Sequence, residues 1–182
     1  MTLLILGVLL WSVAHLFKRL APGVRATMGT AGRAVIAVLI VASVVLMVQG
    51  YAPAEGTFYW GRSAPLVGIN NLLMLLAFYL YAASGLKTAI TRRIRHPQLT
   101  AVKVWAVSHL LVNGDLPSFV LFGGILAWAV VSVILINRAE PNWTPPAAKP
   151  GAEVKAIIAT VVVVVLVMLL HNVSKIKYFQ LN

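Results

Sequence analysis

The stretch Val154–Val173 reads VKAIIATVVVVVLVMLLHNV and holds one Lys and no Arg, Asp or Glu. A helix that crosses the hydrocarbon core of a bilayer needs roughly 20 predominantly apolar residues, and this stretch has that length. The whole chain shares its character, since it is 60% hydrophobic and only 10% charged, whereas soluble domains carry about 25% charged residues. A chain this apolar cannot bury its side chains in one small core, so its solvent is lipid.

Five other stretches are also apolar enough to span, or nearly span, a bilayer. Because a span needs about 17 residues or more, the fourth stretch, which also carries polar residues, is a short one. The sequence therefore predicts an all-α fold, a polytopic transmembrane helix bundle of about six helices in a single domain over residues 1–182. The predicted spans are at about residues 2–17, 32–49, 65–85, 98–113, 116–137 and 154–173.

Basic residues lie in short clusters between the apolar stretches, so the net charge of +11 does not indicate nucleic-acid binding. The larger group of basic residues lies after the first, third and fifth spans, and a smaller group lies on the opposite side of the membrane. Because cytoplasmic loops are rich in Lys and Arg, the bias predicts an inner-membrane protein with both termini outside the cytoplasm. The larger group is Lys18, Arg19, Arg25, Arg33, Lys87, Arg92, Arg93, Arg95, Arg138, Lys149 and Lys155, and the smaller group is Arg62, Lys175 and Lys177.

Several kinds of chemistry are excluded by what the chain lacks. It has no cysteine, which removes disulfides, iron–sulfur clusters and thiolate metal sites. No predicted span carries an acidic residue in its middle, so we do not expect a proton relay of carboxylates. Phosphate-binding loops, dinucleotide fingerprints and HExxH zinc motifs are absent as well.

Polar side chains at membrane depth are costly to place there, so they are candidates for function. His109 is the foremost candidate, because Trp105 and Asn113 lie four residues away on the same helix face. Imidazole can bind a metal through one nitrogen while a hydrogen bond holds the other. The alternative is a histidine that only hydrogen-bonds a neighbouring helix. The other candidates are His15, Asn70, Asn71, His96, Lys103, Asn113, Asp115 and His171.

A structural role competes with a functional one at each of these positions. His15 and His171 suit interfacial positions, His96 suits a helix cap or a lipid-phosphate contact, and Lys103 can extend to the interface. The remaining polar residues either hydrogen-bond between helices, for roughly 0.6–2 kcal/mol each, or line a polar pocket. They are Asn70, Asn71, Asn113 and Asp115.

The stretch Arg95–Asp115, RHPQLTAVKVWAVSHLLVNGD, resembles the signature of the NnrU family. The Arg-His-Pro entry, the His-Leu-Leu triplet and the final Asn-Gly-Asp carry this resemblance. It extends over nearly the whole chain through the histidine of the first span, the run Leu72–Ala77, the Phe-Gly-Gly at Phe122–Gly124 and the late His171.

The resemblance implies a bacterial membrane protein linked to denitrification and nitric oxide metabolism. It also implies kinship with the plant 15-cis-zeta-carotene isomerases, which are heme b enzymes. By position, their heme ligands correspond to His15 and His109. The predicted topology puts these two about 10 Å apart along the membrane normal, so His109 with His171 is an alternative pair. Arg95 and His96 also resemble a motif that binds S-adenosylmethionine in membrane methyltransferases of the isoprenylcysteine type.

We therefore expect an accessory protein of the NnrU family that binds heme b. The alternatives are a heme-dependent cis–trans isomerase acting on a polyene such as a carotenoid, a non-catalytic membrane subunit or assembly factor, and a methyltransferase. Whether the chain is an enzyme stays open. The expected partners are the lipid bilayer and either a membrane protein or a lipophilic small molecule. The predicted cofactor-binding residues are His15, Arg95, His96, His109 and His171, with His15 and His109 as the iron ligands.

Overall fold

The structure, a computed structural model, describes the backbone of residues 1–180 and the side chains of residues 1–171. The predicted charges of Lys175 and Lys177 therefore lie outside the described side chains. The α-helices are α1 (Thr2–Leu20), α2 (Pro22–Thr27), α3 (Ala31–Tyr51), α4 (Ala64–Leu86), α5 (Pro97–Val112), α6 (Leu116–Ser118), α7 (Gly124–Ala139) and α8 (Ala152–Gln180). Two short strands, β1 (Phe58–Trp60) and β2 (Gly114–Asp115), a 3₁₀ turn at Ala89–Arg92 and a π-helical turn at Phe119–Gly123 complete the chain.

The predicted all-α membrane fold is confirmed, with one difference at the fourth span. Within the described residues, the segments long and apolar enough to cross a membrane are Thr2–Leu20, Ala31–Tyr51, Ala64–Leu86, Leu116–Ala139 and Ala152–His171. The fourth predicted span is α5, with 16 residues. At 1.5 Å per residue α5 is about 24 Å long, less than the roughly 30 Å of a hydrocarbon core. Pro97 begins it and the strand β2 follows it, which together fix its length.

The order of packing in the bundle differs from the order along the chain. Helix α1 packs against α3 and α7, whereas α5 packs between α7 and α4, and α4 also contacts α8. The main core cluster joins α1, α3 and α7 through Leu4, Val8, Met47, Ile125 and Trp128. Helices α1 and α4 thus belong to different parts of the bundle, and the space between them is described below.

One end of the bundle is rich in basic residues, and we call it the basic end. Lys18 and Arg19 lie in the last turn of α1, and Arg138 lies in the last turn of α7. Arg95, just before α5, donates a hydrogen bond to the backbone carbonyl of Glu140, just after α7. The basic end is therefore formed by the end of α1, the start of α5 and the end of α7.

The opposite end of the bundle is closed by the strands β1 and β2. They pair antiparallel, with Phe58 opposite Asp115 and Trp60 opposite Gly114. The Trp60 indole also donates a hydrogen bond to the Leu110 carbonyl at 3.2 Å. This contact ties the loop after α3 to the end of α5.

Gly114→Ala is expected to disrupt this closure, because a Cβ at Gly114 would lie 2.3 Å from the Trp60 ring. Overpacking of this kind costs typically 1–3 kcal/mol. The thermal unfolding midpoint of the detergent-purified protein measures the loss. Gly68→Ala is the matched control, since a Cβ there meets nothing within 4 Å, and its midpoint is expected to stay level or rise. Equal midpoints for the two variants would contradict the contact.

A carboxylate fixes the start of α8 against the rest of the bundle. Glu153 accepts a hydrogen bond from the Tyr79 hydroxyl at 2.7 Å through Oε2, and one from the Ala89 backbone N–H at 2.8 Å through Oε1. It thereby joins α8 to α4 and to the 3₁₀ turn. Among the few acidic residues of the chain, this one has a structural role.

Glu153→Ala is expected to lower the free energy of unfolding by about 1.5–3 kcal/mol, because a charged acceptor of two hydrogen bonds is lost. Glu153→Gln is the matched variant. Its amide oxygen can still accept from Ala89, while its NH₂ group can donate to the Tyr79 oxygen. We expect Glu153→Gln to unfold close to the parent protein in a thermal melt, and a loss as large as that of Glu153→Ala would contradict this account.

Candidate functional site

A cavity of about 580 Å³ lies between α1 and α4 at the basic end. Cofactor and small-molecule sites have volumes of roughly 300–1,000 Å³. Residues of α5 and α7 form its floor, because these helices pack between α1 and α4. Tyr81, at its edge on α4, is 56% exposed. The cavity therefore has a side chain at the bundle surface in its α4 wall.

His15 lies in the wall of this cavity on α1. Its Nδ1 is 2.9 Å from the Trp11 carbonyl oxygen, and because a carbonyl only accepts, Nδ1 carries the proton. In the neutral ring Nε2 then keeps its lone pair, which is the arrangement of a histidine ready to bind a metal. The ring centroid is 4.1 Å from that of Trp11 and 4.8 Å from that of Trp128. The imidazole is therefore held in place by two indoles.

The two indoles also bring hydrogen-bond donors that the described residues leave unused. Nε1 of Trp11 and Nε1 of Trp128 are buried and have no partner there, and Trp128 is only 8% exposed. A buried donor without an acceptor costs roughly 1–3 kcal/mol. Both nitrogens are buried within the wall and not open to the cavity, so they are a cost of packing the two indoles around His15.

Arginines form the rim of the cavity at the basic end. Arg19 and Arg95 both line it, and both contact Glu140. Arg19 forms an ion pair with the Glu140 carboxylate at 3.5 Å, and Arg95 binds its backbone carbonyl. Since the Glu140 side chain is 63% exposed, this pair is weak and exchangeable. The rim is thus positively charged and suits a ligand with acidic groups.

His96 joins His15 in the cavity wall, so the structure brings these two predicted residues together. Nε2 of His96 is 2.8 Å from the Asn137 amide oxygen. This hydrogen bond links the start of α5 to the end of α7. Arg95, His96 and Pro97, the entry of the motif, all contribute to the lining.

His109 lies elsewhere, toward the opposite end of the bundle. Its Nδ1 is 2.9 Å from the Trp105 carbonyl, and its ring stacks on Phe122 with centroids 4.7 Å apart. Val102 lines the cavity, and His109 is seven residues farther along α5, about 10 Å at 1.5 Å per residue. The core residue Ile125 lies between Phe122, in the π-helical turn, and Trp128, on α7. The structure therefore does not bring His15 and His109 into one cavity.

His171, the other histidine of the alternative pair, is exposed on α8, and its Nδ1 is 2.9 Å from the Val167 carbonyl. Within residues 1–171, no three His, Asp or Glu side chains form a group that could hold a metal ion.

The predicted polar residues of the opposite end have partners within the protein. Asn70 donates to the Ser108 carbonyl at 2.8 Å, which joins α4 to α5. Asn113 donates to the His109 carbonyl at 2.9 Å, and Asp115 accepts from the Ser118 N–H at 2.8 Å at the start of α6. Asn71 is exposed. None of these four lines the cavity, and three of them act as structural hydrogen-bonding groups.

Among the cavity residues that sequence reasoning did not assign to a site are Trp11, Arg19 and Trp128. A signal for two of them was present, because Trp11, His15 and Arg19 follow one another at steps of four and share a helix face. Trp128, with Ser132 and Ile136, repeats this spacing on α7.

The family model described as NnrU protein matches residues 3–176 of the chain. No curated protein and no solved structure matches the chain.

Proposed function

The chain belongs to the NnrU protein family, and we propose that it is an accessory protein of a bacterial inner membrane that binds a b-type heme in the cavity between α1 and α4. One observation carries this proposal: His15, whose Nδ1 is bonded to the Trp11 carbonyl, lines an amphipathic cavity that Arg19 and Arg95 also line. The basic end is the cytoplasmic end in this proposal, because the larger group of basic residues lies there.

The residues of the cavity fit the donor requirements of a heme. His15 is the protein ligand for the iron, and the Trp11 carbonyl fixes its tautomer. Arg19 and Arg95 are placed to bind the two propionates, exchanging their contacts with Glu140. Leu16, Leu99 and Val102 supply apolar surface for the macrocycle. When bound, the heme would supply one-electron redox chemistry.

The proposed role is that of a redox partner or an accessory factor for a membrane enzyme. Its link to denitrification and nitric oxide metabolism rests on the NnrU resemblance. His15, Trp11 and Trp128 hold the cofactor at a fixed depth, and the arginines set its orientation toward the cytoplasm.

An absorption spectrum of the detergent-purified protein, expressed with a supply of heme, tests the proposal. We expect a Soret band in the oxidised protein that shifts on reduction with dithionite. A colourless protein that is folded by circular dichroism would overturn the heme proposal and favour the non-catalytic membrane subunit.

Isomerisation of a polyene is a second candidate, and the exposed Tyr81 in the cavity wall on the spanning helix α4 favours it. A carotenoid is confined to the bilayer, so an enzyme acting on it needs a cavity that opens on lipid. Turnover of a cis-carotenoid by the reduced protein but not by the oxidised one is the expected result. Absence of turnover in both redox states would remove this candidate.

A further inference from the structure

We propose that the protein without a cofactor binds an anionic phospholipid in the cavity between α1 and α4, taken from the leaflet at the basic end. This inference uses the same cavity as the heme proposal but does not depend on it. Its occupant is a glycerophospholipid with a net negative headgroup, such as phosphatidylglycerol.

The apolar wall of the cavity makes lipid the natural occupant. Because α4 is long and apolar enough to span a bilayer, the side of the cavity beside the exposed Tyr81 would lie next to lipid. Its walls include Leu16, Leu99, Val102 and Ile136, which are apolar. An acyl chain can therefore enter without leaving an apolar environment.

The two ends of the cavity match the two parts of a phospholipid. Arg19 and Arg95 lie at the rim, where the phosphate of a lipid would be. Trp11 lies eight residues earlier on α1 than Arg19, about 12 Å along the axis, and Trp128 contacts it edge-on at 5.4 Å. The two indoles therefore belong to the deeper wall, at the depth of the acyl chains.

The charge balance favours an anionic headgroup over a zwitterionic one. The acidic group at this rim is the Glu140 carboxylate, which is 63% exposed and 3.5 Å from Arg19. Exposed pairs of this kind contribute only about 0–1 kcal/mol, so a lipid phosphate can replace the carboxylate. Each basic residue near an anionic membrane surface is worth about 1 kcal/mol.

Quenching of tryptophan fluorescence by brominated lipid tests the proposal with the full chain purified without heme. The protein is placed in nanodiscs of phosphatidylcholine containing increasing fractions of brominated phosphatidylglycerol or brominated phosphatidylcholine. We expect half-maximal quenching at a severalfold lower fraction of the anionic lipid. Trp128→Phe should lower the maximal quenching, because it removes a fluorophore of the cavity.

Arg19→Gln and Arg95→Gln should each weaken the preference for the anionic lipid about fivefold. Arg33→Gln is the matched control, because Arg33 is exposed near the start of α3 and does not line the cavity. We expect it to retain the preference within twofold. Equal quenching by both lipids would overturn the proposal. An equal loss of the anionic-lipid preference in Arg33→Gln would also overturn it, because the preference would then come only from general attraction of anionic lipid to the basic surface.

The result also separates the two proposals. A colourless protein that still prefers the anionic lipid refutes the heme proposal and supports this one. A protein that shows a Soret band but no preference for the anionic lipid supports the heme proposal and refutes this one.

Discussion

His15→Ala is expected to abolish the Soret band of the heme-loaded protein, whereas His109→Ala is expected to retain it. The reason is position, since His15 lines the cavity and His109 does not. The two residues are otherwise closely matched. In each, Nδ1 lies 2.9 Å from the carbonyl of a tryptophan four residues earlier. The loss of an imidazole from a transmembrane helix is therefore the same chemical change in both variants.

Heme content per protein, measured as the pyridine hemochrome, gives the quantity to compare. Circular dichroism shows whether each variant keeps its helices, and added imidazole is expected to restore part of the band in His15→Ala. Loss of the band in both variants would support joint ligation by His15 and His109, as the family resemblance implies. Loss in His109→Ala alone would refute the assignment to this cavity.

The fold was predictable because residues that contact lipid are apolar, so long apolar stretches of the sequence mark the membrane helices. Each long apolar stretch became a helix, and α8 contains the whole stretch Val154–Val173. The short fourth span was also visible, because Pro97 and the turn at Asn113 limit α5 from both sides. Lengths and ends of helices are local properties, so one sequence suffices to find them.

The composition of the cavity was less predictable, because it depends on which helices are neighbours in space. A difference in depth between His15 and His109 was predicted from the topology alone, and in the structure His15 lines the cavity whereas His109 does not. The sequence did not predict that His15 and His96 line the same cavity, since this requires α1 to lie beside the start of α5. Trp11 and Trp128 looked like any aromatic residue in an apolar span, and only packing shows that their N–H groups are buried.

The close pairing of α1 with α3 is the contact most sensitive to a single substitution. A Cβ at Gly50 would lie 2.3 Å from the backbone nitrogen of Leu4, and one at Gly7 would lie 2.7 Å from the backbone nitrogen of Met47. Small residues let membrane helices approach until their backbones touch. Because the opposing atoms are backbone, no side-chain rotation relieves the clash.

Gly50→Ala is therefore expected to cost about 3 kcal/mol, the upper end of the range for overpacking. The two helices would have to separate, and the core cluster around Leu4 and Met47 would open with them. A lower thermal unfolding midpoint and a smaller monodisperse peak in size-exclusion chromatography are the expected readouts. Gly85→Ala, where a Cβ meets nothing within 4 Å, is the control and is expected to behave like the parent protein.

A second substitution distinguishes a backbone clash from simple crowding of side chains. If the methyl group added by Gly50→Ala clashed with the Leu4 side chain, Leu4→Ala would remove the clash and restore the stability lost in Gly50→Ala. Because the nearest atoms are the nitrogen and Cα of Leu4 and the carbonyl carbon of Leu3, shortening the Leu4 side chain removes none of them and also leaves a cavity in the core. The double variant is expected to be less stable than either single variant. Rescue would mean that α1 and α3 are farther apart than described, and since α1 carries His15 and Arg19 into the cavity wall, the proposed ligand geometry would have to change with it.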